Sequence, residues 1–266
     1  MLIDSHAHLD FKNLSTNLKK IVFNANEKNI SSILSINTKI NEFQNLYNLI
    51  KNYKSIWCSI GEHPCNINNN NVPTIEKILK HTDNNKVIAI GETGLDFYHS
   101  TDFKSYQYES LLNHIEASYI SNLPIIIHQR NSENELFEYL IKENKNKKLK
   151  LLMHCFTGNR DYLFKCLDND FFISLGGIVT FKNSIDLQNL ISNITLSKLL
   201  VETDSPFLSP VPFRGKVNEP ANVFYVMEFI SSLLKIKFDN LASIINKNFY
   251  QLFTKAIKYE KIEYES

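Results

Sequence analysis

Six short runs in this 266-residue chain place histidine or a carboxylate where an apolar segment ends. They are Asp4-Ser5-His6-Ala7-His8, Gly61-Glu62-His63-Pro64, Gly91-Glu92-Thr93-Gly94-Leu95-Asp96, His128, His154 and Glu202-Thr203-Asp204-Ser205-Pro206. His6 and His8 are one residue apart, so an extended backbone turns both imidazoles to the same side, where they can chelate one ion. Imidazole and carboxylate donors suit Zn, Mn, Fe, Co or Ni better than an all-oxygen Mg site. Four histidines with Glu92 and Asp204 exceed what one tetrahedral ion takes, which points to two ions bridged by a carboxylate. Two ions about 3.5–4 Å apart can bind a scissile group, lower the pKa of a water and stabilise a leaving oxygen. Each signal alone is weak, because a lone HxH or a lone strand-end histidine is more often structural than a ligand. The combination carries the metal reading.

The elements that must position these residues alternate along the chain. Strand-sized apolar runs occur at 2–3, 32–36, 56–60, 87–90, 125–127, 149–153, 171–175 and 199–201. Most are continuously apolar rather than alternating, as expected for parallel strands covered on both faces. Helical spacing fills the intervals 16–28, 40–51, 74–80, 103–122, 133–143 and 161–167; in the first, Leu18, Ile21, Val22 and Ala25 recur on one face. Eight strands with intervening helices predict an α/β fold, a (β/α)8 TIM barrel, with a doubly wound open sheet as the main rival. Additional C-terminal helices are predicted at 223–234 and 241–257. No linker composition and no internal repeat interrupts the pattern, so residues 1–266 read as a single domain. The polar runs fall at strand C-terminal ends, the face where barrel enzymes place their chemistry.

Composition agrees. The chain is 43% hydrophobic and 21% charged with formal net charge +1, enough for a sizeable core and against disorder. No apolar run approaches the roughly 20 residues of a membrane span. The start, Met1-Leu2-Ile3-Asp4-Ser5-His6, has no signal-peptide pattern, and Cys58, Cys65, Cys155 and Cys166 form no CxxC pair. The expectation is a cytoplasmic, reduced protein with no membrane and no obligatory protein partner. Only three of the 29 basic residues are arginine, and the Asn-Lys-Ile richness reads as the drift of an AT-rich genome. Near-neutral charge argues against coating long nucleic acid but leaves room for a local phosphate site.

DSHAHLD at 4–10, GxHP at 61–64, GETGLD at 91–96, IxIHxR at 125–130, HCFTG at 154–158, ETDSP at 202–206 and RGKxNEPANV at 214–223, in this order and spacing, strongly resemble the TatD family of metal-dependent deoxyribonucleases, among the amidohydrolase-like barrels. By that resemblance His6, His8 and Glu92 bind one metal with Asp204 close to it. Glu92 bridges to a second metal held by His128 and His154. Asp204 is then the candidate general base, an Asp beside a cation staying ionised at neutral pH. His63 is expected to contact the substrate phosphate or stabilise its charge. One departure is Glu62, where the family usually has an apolar residue; its carboxylate is expected to be either solvated or perturbing His63.

Arg214 and Lys216 offer a guanidinium fork and an ammonium to a phosphate, against the alternative of a surface loop opening the next helix. Arg130 reads as either a substrate contact or a structural pair, and Asp96 as a loop organiser or substrate contact rather than a ligand. Ser5 and Thr93 are candidates for supporting neighbouring ligands. Cys155 is expected to point away from the metals into packing. His81, His99 and His114 receive no role, except that His99 lies near the mouth.

The leading functional expectation is two-metal hydrolysis of DNA phosphodiester bonds, 3'-5' and exonucleolytic, on DNA 3' ends or short single strands, with Zn, Mn or Mg as the two divalent ions. The alternative is a metal-dependent ester or amide hydrolase such as a D-aminoacyl-tRNA deacylase, which Arg214 and Lys216 pointing to solvent would favour. A non-catalytic metal-stabilised binding protein is disfavoured because every expected ligand is present.

Overall fold

The computed structural model describes residues 1–257. Its strands are β1 (Leu2–Ala7), β2 (Ile30–Ser35), β3 (Ile56–Ile60), β4 (Val87–Asp96), β5 (Ile125–Arg130), β6 (Leu151–Met153), β7 (Phe172–Leu175) and β8 (Leu199–Val201). The helices between and after them are α1 (Lys12–Ser15), α2 (Leu18–Glu27), α3 (Phe43–Ile50), α4 (Ile75–Leu79), α5 (Lys104–Ser121), α6 (Glu133–Asn144), α7 (Arg160–Asp168), α8 (Ile185–Leu190), α9 (Val223–Leu234) and α10 (Phe238–Leu252). Sheet order follows sequence order, β1 to β8. The pairs β1–β2, β3–β4, β4–β5, β5–β6 and β7–β8 are all parallel. This is the (β/α)8 class. Among the described residues no helix is long and apolar enough to cross a membrane.

Residues 1–35, 49–57 and 155–251 pack as one compact unit, and residues 36–48, 58–154 and 252–257 as another. In the first, α2 buries Leu18, Ile21, Val22 and Ala25, the face that the sequence spacing marks. The same logic applies to α9, whose Val223, Val226, Met227 and Ile230 are buried where it packs against β1 and β8. In the second unit Val87, Ile88, Ala89 and Ile90 are all fully buried, as a central parallel strand requires. Each such Val or Ile contributes about 1.5–3 kcal/mol of apolar burial. Of the predicted C-terminal helices, α9 has the expected bounds; α10 begins at Phe238, stops at Leu252, and helix resumes at 254–257 after Phe253.

Two irregularities in the ladders matter for chemistry. The β1–β2 register shifts between Asp4 and Ala7, and the β4–β5 register between Ile90 and Thr93. Such bulges turn side chains away from strict alternation, and here they contain His6 and Glu92. The second has a glycine requirement at each side. Gly91 has φ +110 and Gly94 φ +148, and a Cβ on Gly94 would collide with the carbonyl oxygen of its ladder partner His128.

Candidate metal centre

Each unit gathers its own set of donors at strand C-terminal ends. In the first unit β1 presents His6, and His8 follows two residues later; both are buried. Their rings meet edge to face with centroids 5.0 Å apart. His8 Nε2 lies 3.2 Å and His6 Nε2 3.6 Å from Asp204 Oδ1, so both imidazoles turn to the same carboxylate oxygen, as the HxH spacing predicts. Asp204 sits after β8 with φ +55, a conformation that Asp tolerates better than most residues. Its backbone N–H donates to the His6 carbonyl at 2.9 Å and fastens the two ends of the set together.

In the second unit three imidazoles converge on one atom. Glu92 Oε1 lies 2.7 Å from His154 Nε2, 3.0 Å from His128 Nδ1 and 3.4 Å from His63 Nε2. His128 Nδ1 and His154 Nε2 are 3.4 Å apart. A tetrahedral ion with bonds of about 2.0–2.1 Å has ligand-to-ligand edges of about 3.4 Å. Glu92 Oε1, His128 Nδ1 and His154 Nε2 lie 2.7 to 3.4 Å from one another, and nitrogen and carboxylate are the right chemistry for a transition metal. The residues fit such an ion.

Hydrogen bonds decide how two of these rings serve. His128 Nε2 donates to Asp96 Oδ2 at 3.0 Å, which leaves Nδ1 directed at the Glu92 side. Burial pulls His128 downward in pKa, but its bonds to Asp96 and Glu92 outweigh that and raise it. Burial likewise pushes Asp96 up, yet the bonds from His128 and from the His99 backbone and ring hold it well below the usual carboxylate range. A carboxylate behind a ligand histidine fixes the tautomer and strengthens the ligand. His63 differs. Its Nδ1 accepts the Cys65 N–H at 3.1 Å, so in the neutral ring Nε2 carries the proton and is a donor.

The structure also assigns residues the sequence left unassigned. Buried Asp4 accepts from the backbone and hydroxyl of Thr203 (2.9 and 2.7 Å) and from His6 N (3.3 Å), tying β1 to the segment that carries Asp204. Burial raises its pKa to about 8 despite those bonds. Asn218 is fully buried and donates to the carbonyls of Thr203 (2.9 Å) and Phe207 (2.7 Å), one on each side of Asp204. Its Oδ1 accepts from Glu219 N and Asn222 Nδ2. The RGKxNEPANV run is therefore a clasp on the Asp204 loop, with its weight at Asn218. Ser5 supports the same region by donating to the Val201 carbonyl at 2.9 Å.

Arg214 and Lys216, the predicted phosphate contacts, are both exposed. The Arg214 guanidinium sits over the Phe181 ring at 4.3 Å. Lys216 lines a cavity of about 290 Å³ with Asn24, Lys28, Phe213, Glu219 and Tyr225, and His6, His8 and Asp204 are not among its lining residues. Arg130 is exposed and stacks over Tyr98 at 3.9 Å. Asp96 organises its loop, accepting from the backbone of Tyr98 and His99, as well as holding His128. Glu62 is neither solvated nor set on His63. Its buried carboxylate accepts the Ile40 N–H at 2.9 Å at the start of the helical turn leading into α3, and burial raises its pKa to about 7. Cys155 is half-buried, more open than a packing role predicts.

Histidine and carboxylate sets at the ends of parallel (β/α)8 strands stand where barrels of this class place metal-assisted hydrolysis. The family model described as TatD-related DNase matches residues 3–254. An uncharacterized metal-dependent hydrolase of Buchnera aphidicola is 41% identical over 261 residues, covering 95% of this chain and 98% of that protein. The 3'-5' ssDNA/RNA exonuclease TatD of Shigella flexneri is 27% identical over 86% of this chain and 90% of its own. The crystal structure of YjjV, a TatD homologue from Escherichia coli, superposes with a TM-score of 0.86 at 24% identity, covering 95% of this chain and 98% of that one. The chain belongs to the TatD family and is a metal-dependent hydrolase of that family.

Proposed function

We propose that this hydrolase cleaves phosphodiester bonds in DNA from the 3' end, acting on short single strands or single-stranded 3' termini. The observation that carries this reading is the convergence of His63 Nε2, His128 Nδ1 and His154 Nε2 on Glu92 Oε1, with one of those rings set as a donor. The name of the Shigella relative supports the substrate and polarity. His6, His8 and Asp204 would hold one ion, and Glu92, His128 and His154 a second. Such ions, Zn, Mn or Mg, supply charge for the scissile phosphate and acidify water.

The protein's own groups complete the chemistry. Asp204 orients the attacking water and accepts its proton at a carboxylate oxygen. His63 donates from Nε2 to a non-bridging phosphate oxygen, where charge develops. Asp96 keeps His128 in one tautomer while this happens, and Asp4 and Asn218 keep Asp204 from swinging away. The exposure of Arg214 and Lys216 favours a second reading, hydrolysis of a carboxylic ester or amide such as a D-aminoacyl-tRNA, for which no dedicated phosphate grip is needed.

The test is cleavage of 5'-labelled and 3'-labelled single-stranded DNA by purified protein with EDTA, Mg, Mn or Zn. Progressive shortening from the 3' end that EDTA abolishes is the expected result. No cleavage with any metal, by protein that binds metal and deacylates D-aminoacyl-tRNA, would overturn the nuclease reading for the second.

A further inference from the structure

We infer that Cys65, Asp96 and His99 form an additional, regulatory site for a thiophilic divalent cation such as Zn2+, connected through Asp96 to His128. The three residues come from separate stretches of one unit. Cys65 lies in the helical turn Pro64–Asn66 after β3, Asp96 ends β4, and His99 stands in the loop that follows. Cys65 Sγ is 3.4 Å from Asp96 Oδ2 and 3.5 Å from His99 Nδ1, and His99 Nδ1 is 2.8 Å from Asp96 Oδ2. All three donor atoms therefore lie within 4.8 Å of one another.

Those distances suit zinc. With Zn–S about 2.3 Å and Zn–N or Zn–O about 2.0–2.1 Å, tetrahedral edges come to about 3.5 Å from sulfur and about 3.4 Å between the lighter donors. Both sulfur edges already match. The third is shortened by a hydrogen bond that an ion would replace. Cys65 and His99 are exposed, so an ion reaches the site from solvent and a water completes its shell. Binding releases the thiol proton to solvent. The Cys65 and His99 side chains are not among the donor sets described above, and the soft sulfur donor distinguishes this trio from those nitrogen and oxygen sets. Thiolate selects zinc over Mg or Mn.

The coupling follows from one shared atom. Asp96 Oδ2, which would ligate the cation, is the oxygen that receives His128 Nε2–H at 3.0 Å. A cation on that oxygen draws its electron density away and repels the N–H, loosening the hold on His128. Zinc at the Cys65 site should therefore slow hydrolysis. The binding half of this inference stands on the donors alone, whereas the inhibition half rests on the hydrolase reading.

The experiment titrates the chelator-stripped full-length protein with Co2+, comparing wild type with Cys65→Ser and His99→Ala. Wild type should bind one more equivalent than Cys65→Ser and show a thiolate-to-cobalt charge-transfer band in the near ultraviolet that the variant lacks. His99→Ala should weaken the half-saturation of that band tenfold or more. Equal stoichiometry with no thiolate band, or a band that survives Cys65→Ser, would overturn the site. In turnover, excess Zn2+ should inhibit wild type and spare Cys65→Ser, whose melting temperature should match wild type. Equal inhibition of both would overturn the coupling while leaving the cobalt result to stand or fall by itself.

Discussion

Asn218→Ala should damage this protein more than loss of either cation in the same motif. The Asn218 side chain is fully buried, donates to the carbonyls of Thr203 and Phe207 at 2.9 and 2.7 Å, and accepts from Glu219 N and Asn222 Nδ2 at 3.0 and 2.9 Å. Alanine strips all four partners. A buried polar group left unpaired costs about 1–3 kcal/mol, and water entering the vacated space recovers part of it, so the total comes to about 3–5 kcal/mol. At about 2–4 °C per kcal/mol for a chain of this size, the melting temperature should fall by roughly 10 °C. Arg214→Ala and Lys216→Ala remove exposed groups stacked on or near aromatic rings and should cost about 1 kcal/mol or less. Activity should separate the variants too. A non-glycine residue in the left-handed region costs about 1–3 kcal/mol and persists only where its surroundings enforce it. Releasing the carbonyls on either side of Asp204 lets that residue relax, so kcat should fall about 100-fold at a temperature where the variant is still folded. Differential scanning calorimetry and single-turnover kinetics on the three variants provide the comparison. An Asn218→Ala protein melting within 3 °C of wild type, or an Arg214→Ala protein melting lower, would refute the clasp.

Asp96→Asn replaces the acceptor of His128 Nε2–H with a group that can present a donor, and should weaken metal binding about 10–100-fold. It is best measured by competition with a chromophoric chelator in a Cys65→Ser background; unchanged affinity there would contradict the role given to Asp96. Buried His114 accepts the Glu62 N–H at 3.1 Å, and burial lowers its pKa from 6.5 to about 4. The unfolded chain takes up that proton first, so the stabilisation is complete above pH 6.5 and is lost as pH falls toward 4, on the order of 3 kcal/mol in all. Urea denaturation from pH 7 to 4.5 should show a steeper loss for wild type than for His114→Gln, and parallel profiles would exclude the effect.

The architecture was readable because buried parallel strands need uninterrupted apolar runs, and Val87 to Ile90 and Ile125 to Ile127 provide them. Strand ends were harder. β4 continues through Glu92 to Asp96 and β5 to Arg130, because residues aimed at a site remain on the ladder although they are polar. The candidate donors stand out for the same reason, since histidines that end strands have no apolar partner to explain them. Asp4 and Asn218 carry no such mark in the sequence. Their work is done on backbone atoms roughly 200 and 15 residues away, distances at which composition and periodicity carry no signal. Arg214 drew attention through its charge, while the uncharged Asn218 four residues on was the buried group. Glu62 was ambiguous because a carboxylate beside His-Pro looks electrostatic in sequence. Only the fold reveals the Ile40 N–H it caps.

The most direct test of the account is Asp204→Asn, assayed on labelled single-stranded DNA beside wild type, with metal content and melting temperature measured on the same preparations. Asparagine preserves the side chain's shape and its Oδ1 but cannot accept the proton of the attacking water. The expected result is a folded protein that still binds metal through its histidines and Glu92 yet has lost turnover by about three orders of magnitude or more. An Asp204→Asn protein that cleaves DNA at the wild-type rate would contradict it.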